Sequence, residues 1–212
     1  MSDFLQVIPA FALTVLIIVA VPGQGVAMVL RQSILSGKQA AFYSVFGNTT
    51  GLIIWGVLSS VGLSAIFQAS PTAFNILKWA GVGYLTLLSI QTLLELKNQA
   101  GKFEYEAGEK AKSFGPAFRI GITTNLTNVK AAVFSVGLVP QFVPNSFSLG
   151  WGIFILSCIW AVISMSWYSL MITIVDKSSK WIQKPKARRA LTAFSAVGIA
   201  ALAIGLAFTS AN

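Results

Sequence analysis

The chain has 212 residues, of which 10% are charged and 55% apolar, with a mean hydropathy of +0.75 and no histidine. Soluble domains carry about 25% charged residues, so most soluble classes are excluded, and disorder with them, since disorder needs low hydrophobicity. One cysteine excludes an intramolecular disulfide framework, a cysteine zinc site and a two-thiol relay, which leaves an all-α integral membrane protein.

Taken in chain order, the charge-free runs are Phe4 to Leu30, Gln39 to Leu77, Trp79 to Leu94, Ala131 to Val175 and Ala190 to Asn212. A spanning helix needs about 20 apolar residues. Strand-type alternation is absent, which argues against a β-barrel. Two of the runs are long enough to need a turn. Gln39–Leu77 breaks near Ala69-Ser70-Pro71-Thr72, and Ala131–Val175 breaks between Pro140 and Ser148, where Pro144-Asn145-Ser146 supplies the turn. Six transmembrane helices are therefore predicted, at 4–30, 40–67, 73–94, 118–142, 148–175 and 190–208, in one domain over residues 1–212 with a loop at 95–117. The first run is too long for a signal-peptide core of about 7–15 residues and has no basic segment before it, so it reads as a mature helix.

The basic residues set the orientation. Arg31 and Lys38 fall in the loop after span 1. Lys97, Lys102, Lys110, Lys112 and Arg119 follow span 3, and Lys177, Lys180, Lys184, Lys186, Arg188 and Arg189 follow span 5. Only Lys78 and Lys130 lie elsewhere. The positive-inside rule places the three basic loops in the cytoplasm and both termini in the periplasm. The net charge of +9 thus calls for no nucleic acid, and the Lys177–Arg189 cluster suits anionic membrane lipid. Trp151 and Trp181 fall near predicted interfaces, whereas Trp55, Trp160 and Trp167 lie deeper and read as packing. Six spans divide as three plus three, and halves with an odd number of spans would be inverted repeats, a common transporter design.

Three motifs interrupt the apolar spans. The first is Val21-Pro22-Gly23-Gln24-Gly25 in span 1. Proline removes a donor and clashes with the carbonyl four residues back, and backbone freed in lipid must face protein or a wet cavity. The break is either a plain kink or a substrate site, where a half-helix N-terminus favours a carboxylate. The second is Asn125-Leu126-Thr127-Asn128-Val129-Lys130 in span 4. From Arg119 to Lys130 is about 16 Å of helix, too deep for easy snorkelling, and an intramembrane ionisable residue is a functional candidate. Alternatively, 119–127 is a cytoplasmic or re-entrant stretch and Lys130 marks the helix start. The third is Gly47-Asn48-Thr49-Thr50-Gly51 in span 2, whose glycines suit close helix packing and whose Asn48 could line a polar cavity. Candidate substrate contacts are thus Pro22, Gly23, Gln24, Gly25, Asn48, Asn125, Asn128 and Lys130.

The acidic residues are Asp3, Glu95, Glu104, Glu106, Glu109 and Asp176, all in loops or at span ends. No carboxylate lies within a span to hold a cationic side chain, which disfavours a dibasic substrate. A metal cation would want carboxylates or thiolates at midplane. A hydrolase would need a nucleophile with its base, so no enzyme, cofactor or metal site is expected, and Cys158 reads as packing. A bundle that only holds a partner together need not break its helices.

Together these motifs resemble the LysE/RhtB family of bacterial amino-acid exporters. The resemblance is carried by Pro22-Gly23-Gln24-Gly25, Ser36-Gly37, Gly47 and Gly51, then Ser70-Pro71, Leu77-Lys78-Trp79-Ala80-Gly81 and Gly83-Tyr84-Leu85. It continues through Phe118, Gly121, Asn125-Leu126, Asn128, Lys130-Ala131 and Pro140-Gln141-Phe142, and covers about residues 20–143. It implies a six-span exporter of amino acids or close derivatives in the inner membrane, driven by the proton gradient, with a homodimer as its expected assembly. The chain departs from the family at three places. Gln24 and Val129 stand where prolines are usual, and Leu52 stands where some members carry an acid. The last departure points to the branch that handles neutral amino acids such as threonine, homoserine or leucine.

Overall fold

The computed structural model describes residues 2–21, 23–69 and 113–182, plus scattered positions between 72 and 94 and between 193 and 204; side chains within the long helices are described to 62 and 175. Spans 3 and 6, the 95–112 loop and most of the last basic cluster therefore lie outside the described residues, as do Pro22 and Lys78.

Span 1 is two helices. α1 (Ser2–Ala20) and α2 (Gln24–Leu35) meet at a break over Val21 to Gly23. The last α1 bond is Val21 N–H to Ile17 O at 3.3 Å, and the first of α2 is Ala27 N–H to Gly23 O at 2.9 Å. Gly23 between them is fully extended. α2 runs beyond the expected end of span 1, so Arg31 is helical and the predicted loop contracts to Ser36-Gly37. Gly37 has φ of +88°, a left-handed conformation that glycine adopts without strain after a helix.

α3 (Lys38–Ala69) is the central mast and packs mainly on α4 (Phe114–Leu126) and α6 (Leu149–Ile182). Its seam with α4 is made of glycine. A Cβ on Gly47 would collide with Phe118 O, and one on Gly121 with Ser44 O. A Cβ on Gly51 would sit 2.7 Å from Asn125 Cβ. Backbones this close need side chains of one hydrogen, so the glycines of the Gly47–Gly51 motif serve packing.

Span 4 is also broken. α4 ends at Leu126, with Thr127 N–H bonded to Thr123 O at 3.0 Å, and α5 (Val129–Val133) begins after Thr127 and Asn128. The Asn128 side chain caps α5 by accepting from Lys130 N at 3.1 Å, a normal N-cap role. α5 then widens into a π-helical turn at Phe134–Leu138 and tightens into a 3-10 turn at Val139–Phe142. π turns recur at functional sites. A tight turn, closed by Phe147 N–H to Pro144 O at 2.9 Å, leads into α6.

Aromatic contacts bind the layers. Phe11 meets Phe142 edge-on at 5.2 Å, and Phe134 meets Trp160 at 4.7 Å. At one end of the bundle Phe4 stacks on Phe147 at 4.5 Å, and Ser146 Oγ donates to Asp3 at 2.9 Å. At the other end Tyr43 meets Phe114 at 5.2 Å. Large apolar side chains cover the outside too, among them Leu13, Val61, Trp151 and Val162, each more than 60% exposed. Such a surface suits lipid and not water. Among the described residues, Asp3–Ala20, Lys38–Gly62 and Leu149–Val175 are long and apolar enough to cross a membrane, and Val129–Phe142 is a shorter apolar helix.

Candidate functional site

The two breaks meet. Lys130, in the first turn of α5, reaches across to the end of α1 and donates to Ile18 O at 2.9 Å and Val21 O at 3.4 Å. Helix C-terminal carbonyls carry partial negative charge, and a cation there is stabilising by up to about 2 kcal/mol when partly buried. The ammonium also lies against Gly23, where an added Cβ would be 3.5 Å from Nζ. An ammonium has three N–H donors, and two are used on α1.

Beside this junction lies a small cavity, lined on the α1 side by Ile18 and Val19. α3 contributes Asn48 and Leu52, and α4 contributes Asn125. Asn128, Lys130, Ala131 and Phe134 come from the α5 segment, and Trp160, Ser164 and Tyr168 from α6. Its clear space is only water-sized, so a larger solute needs the helices to part. Three buried polar atoms in it have no hydrogen-bond partner among the described residues: Asn48 Nδ2, Asn125 Oδ1 and Ser164 Oγ. Such an atom costs about 1–3 kcal/mol when left unpaired. The set holds one donor, one acceptor and one group that is both, and no described lining residue is acidic.

Asn125 is held by its neighbours. Its carbonyl accepts from Asn128 N at 3.0 Å and from the Trp55 indole at 3.4 Å. Its side chain is thereby fixed where Gly51 leaves room for it. Gly25 performs the same service for Tyr168, whose hydroxyl occupies the place of a Cβ.

Of the eight residues singled out from sequence, Asn48, Asn125, Asn128 and Lys130 share the cavity, and Gly23 and Gly25 touch Lys130 and Tyr168. Gln24 is exposed in the first turn of α2 and is not a lining residue. Pro22 lies outside the described residues. The α6 wall is not evident from sequence, where Trp160 reads as packing and Ser164 and Tyr168 do not stand out. Their signal is a Trp-x3-Ser-x3-Tyr spacing, one stripe of a helix.

Broken helices whose ends meet at a polar cavity are the build of a membrane translocator. The chain belongs to the LysE type translocator family, whose model matches residues 16–210. It is 35% identical over 204 residues, 96% of either chain, to a homoserine/homoserine lactone efflux protein of Salmonella typhimurium. It is 29% identical over 156 residues, 73% of this chain and 72% of the other, to a leucine efflux protein of Salmonella choleraesuis. An uncharacterized membrane protein of Bacillus subtilis is 26% identical over 191 residues, 88% of this chain and 89% of the other. No solved structure matches the chain. The chain is thus a multi-pass membrane transporter for amino-acid efflux.

Proposed function

We propose that the protein exports small neutral amino acids or close derivatives, homoserine among them, across the bacterial inner membrane by alternating access. The observation that carries this reading is the Lys130 ammonium at the junction of two helix breaks, sharing a cavity with Asn48 Nδ2 and Asn125 Oδ1. A zwitterion has complementary groups. Its carboxylate accepts from Lys130 and Asn48, and its ammonium donates to Asn125. Asn128 fixes Lys130 from behind through the α5 cap. Leu52 at the cavity wall offers nothing to a cationic side chain, which supports neutral substrates.

A carboxylate that draws the ammonium away from Ile18 O and Val21 O uncaps α1, and this ties substrate arrival to movement of the break. Lys130 is also the described lining residue best suited to carry a proton, so coupling to the proton gradient runs through it. Both termini are periplasmic, the basic loops are cytoplasmic, and the working unit is a homodimer in this reading.

The test is efflux from cells loaded by dipeptide feeding, with and without the protein. Homoserine, threonine and leucine are expected to leave faster with it, and lysine at the background rate. Accelerated efflux of lysine or arginine alone would overturn the neutral-substrate reading, and no accelerated efflux across the panel would overturn export itself.

A further inference from the structure

The α6 wall of the cavity has no part in holding the zwitterion's two charges. Trp160, Ser164 and Tyr168 follow one another at four-residue spacing on a single face, and all three line the cavity. Leu52, Phe134 and Trp160, each 3% exposed or less, give the same cavity apolar lining beside its amides and ammonium.

Two serines of α6, Ser157 and Ser164, are buried with an Oγ unpartnered among the described residues, and of these only Ser164 lines the cavity. Serine and threonine in helices ordinarily satisfy themselves on the carbonyl one turn back. Ser166 does so on Val162 O at 2.8 Å, and Thr173 on Ser169 O at 2.9 Å. Ser164 is 1% exposed, and its Oγ has no partner among the described residues. It is therefore a buried, unpaired hydrogen-bonding group on a wall that the charged ends of a substrate do not use.

We propose that Ser164 is a specificity-determining residue, whose hydroxyl pairs with an oxygen on the substrate's side chain while Leu52, Phe134 and Trp160 enclose its carbons. This rests on the amino-acid export reading above and adds to it which atom reads the side chain. A side chain of the same shape without oxygen leaves Ser164 Oγ unpaired. A site built around a hydrogen bond rejects such an analogue, whereas an apolar pocket tells the two apart poorly.

Homoserine and norvaline differ by a hydroxyl against a methyl at the same place, so their ratio isolates this contact. Both are loaded together into proteoliposomes containing the full chain, and the two efflux rates are read from the same vesicles. The unsubstituted protein favours homoserine. In Ser164→Ala the homoserine-to-norvaline ratio falls about five- to tenfold, the size of one neutral hydrogen bond, because norvaline export persists. In Ser164→Thr, which keeps the hydroxyl, the preference for homoserine remains. A ratio within one preparation does not depend on how much protein has folded, so a merely structural role for Ser164 would leave it unmoved. An unchanged ratio in Ser164→Ala overturns this inference and leaves the export reading standing. Export of neither amino acid by the unsubstituted protein overturns both.

Discussion

Lys130 has two duties at the scale of single residues: it caps α1, and it supplies the positive charge of the cavity. The glycines around it differ in what they tolerate. Gly23 is extended, which any residue adopts, and an added Cβ would make ordinary contact with Nζ at 3.5 Å. A Cβ on Gly25 would displace the Tyr168 hydroxyl. Gly25→Ala is therefore expected to slow export far more than Gly23→Ala, and adding Tyr168→Phe to Gly25→Ala should restore part of the rate, as initial efflux rates would record. No recovery in the double variant would mean that the contact with Tyr168 is not what Gly25 protects. Legibility at this scale was uneven. A lysine within an apolar run stands out in any sequence, and Asn125, Asn128 and Asn48 stand out for the same reason. Ser164 and Tyr168 do not, because hydroxyls are common in membrane helices and their meaning depends on which neighbour faces them. Gln24 is polar and adjacent to the break, yet helix rotation turns it outward.

Among the elements, the α3–α4 crossing decides where the two cavity asparagines sit. Gly47 and Gly121 bring the backbones together, and Gly51 makes room for Asn125. Gly121→Ala should push the helices apart and destabilise the protein by about 1–3 kcal/mol, the usual cost of overpacking. Gly62→Ala and Gly115→Ala, with nothing among the described residues within 4 Å of the new methyl, serve as controls. Thermal unfolding in detergent checks this: a lowered midpoint for Gly121→Ala beside unchanged controls is expected, and equal midpoints would contradict the crossing. The breaks of spans 1 and 4 were legible from Pro22-Gly23 and from Asn125–Lys130, since both patterns conflict with a continuous apolar helix. The π turn at Phe134–Leu138 was not, because no residue pattern marks a π turn; Phe134 at its start packs against Phe11 and Trp160.

For the whole molecule, the charge pattern and the packing agree in sense. The N-terminal end of α1 lies with the α5–α6 turn through Phe4–Phe147 and Asp3–Ser146, and the start of α3 lies with the start of α4 through Tyr43–Phe114. These pairs are the ones that the distribution of lysine and arginine assigns to the same side. In a Cys158→Ala background, Asn145→Cys should react with an impermeant maleimide added outside cells, and Ser113→Cys only after permeabilisation; both positions are exposed. The opposite pattern would invert the topology. The breaks fall in spans 1 and 4, the first spans of the two halves into which the predicted six spans divide. Among the described residues, spans 1, 2, 4 and 5 were legible from charge spacing alone, because charges are costly in hydrocarbon. The meeting of Lys130 with α1 was not, since residues 109 to 112 apart are brought together only by the fold.

The most direct measurement is counterflow of labelled homoserine in proteoliposomes, comparing the unsubstituted protein with Lys130→Ala at equal inserted amounts. Rapid uptake by the former and none by the latter is the predicted result. Full counterflow in Lys130→Ala would contradict the claim that the ammonium at the paired helix breaks receives the substrate.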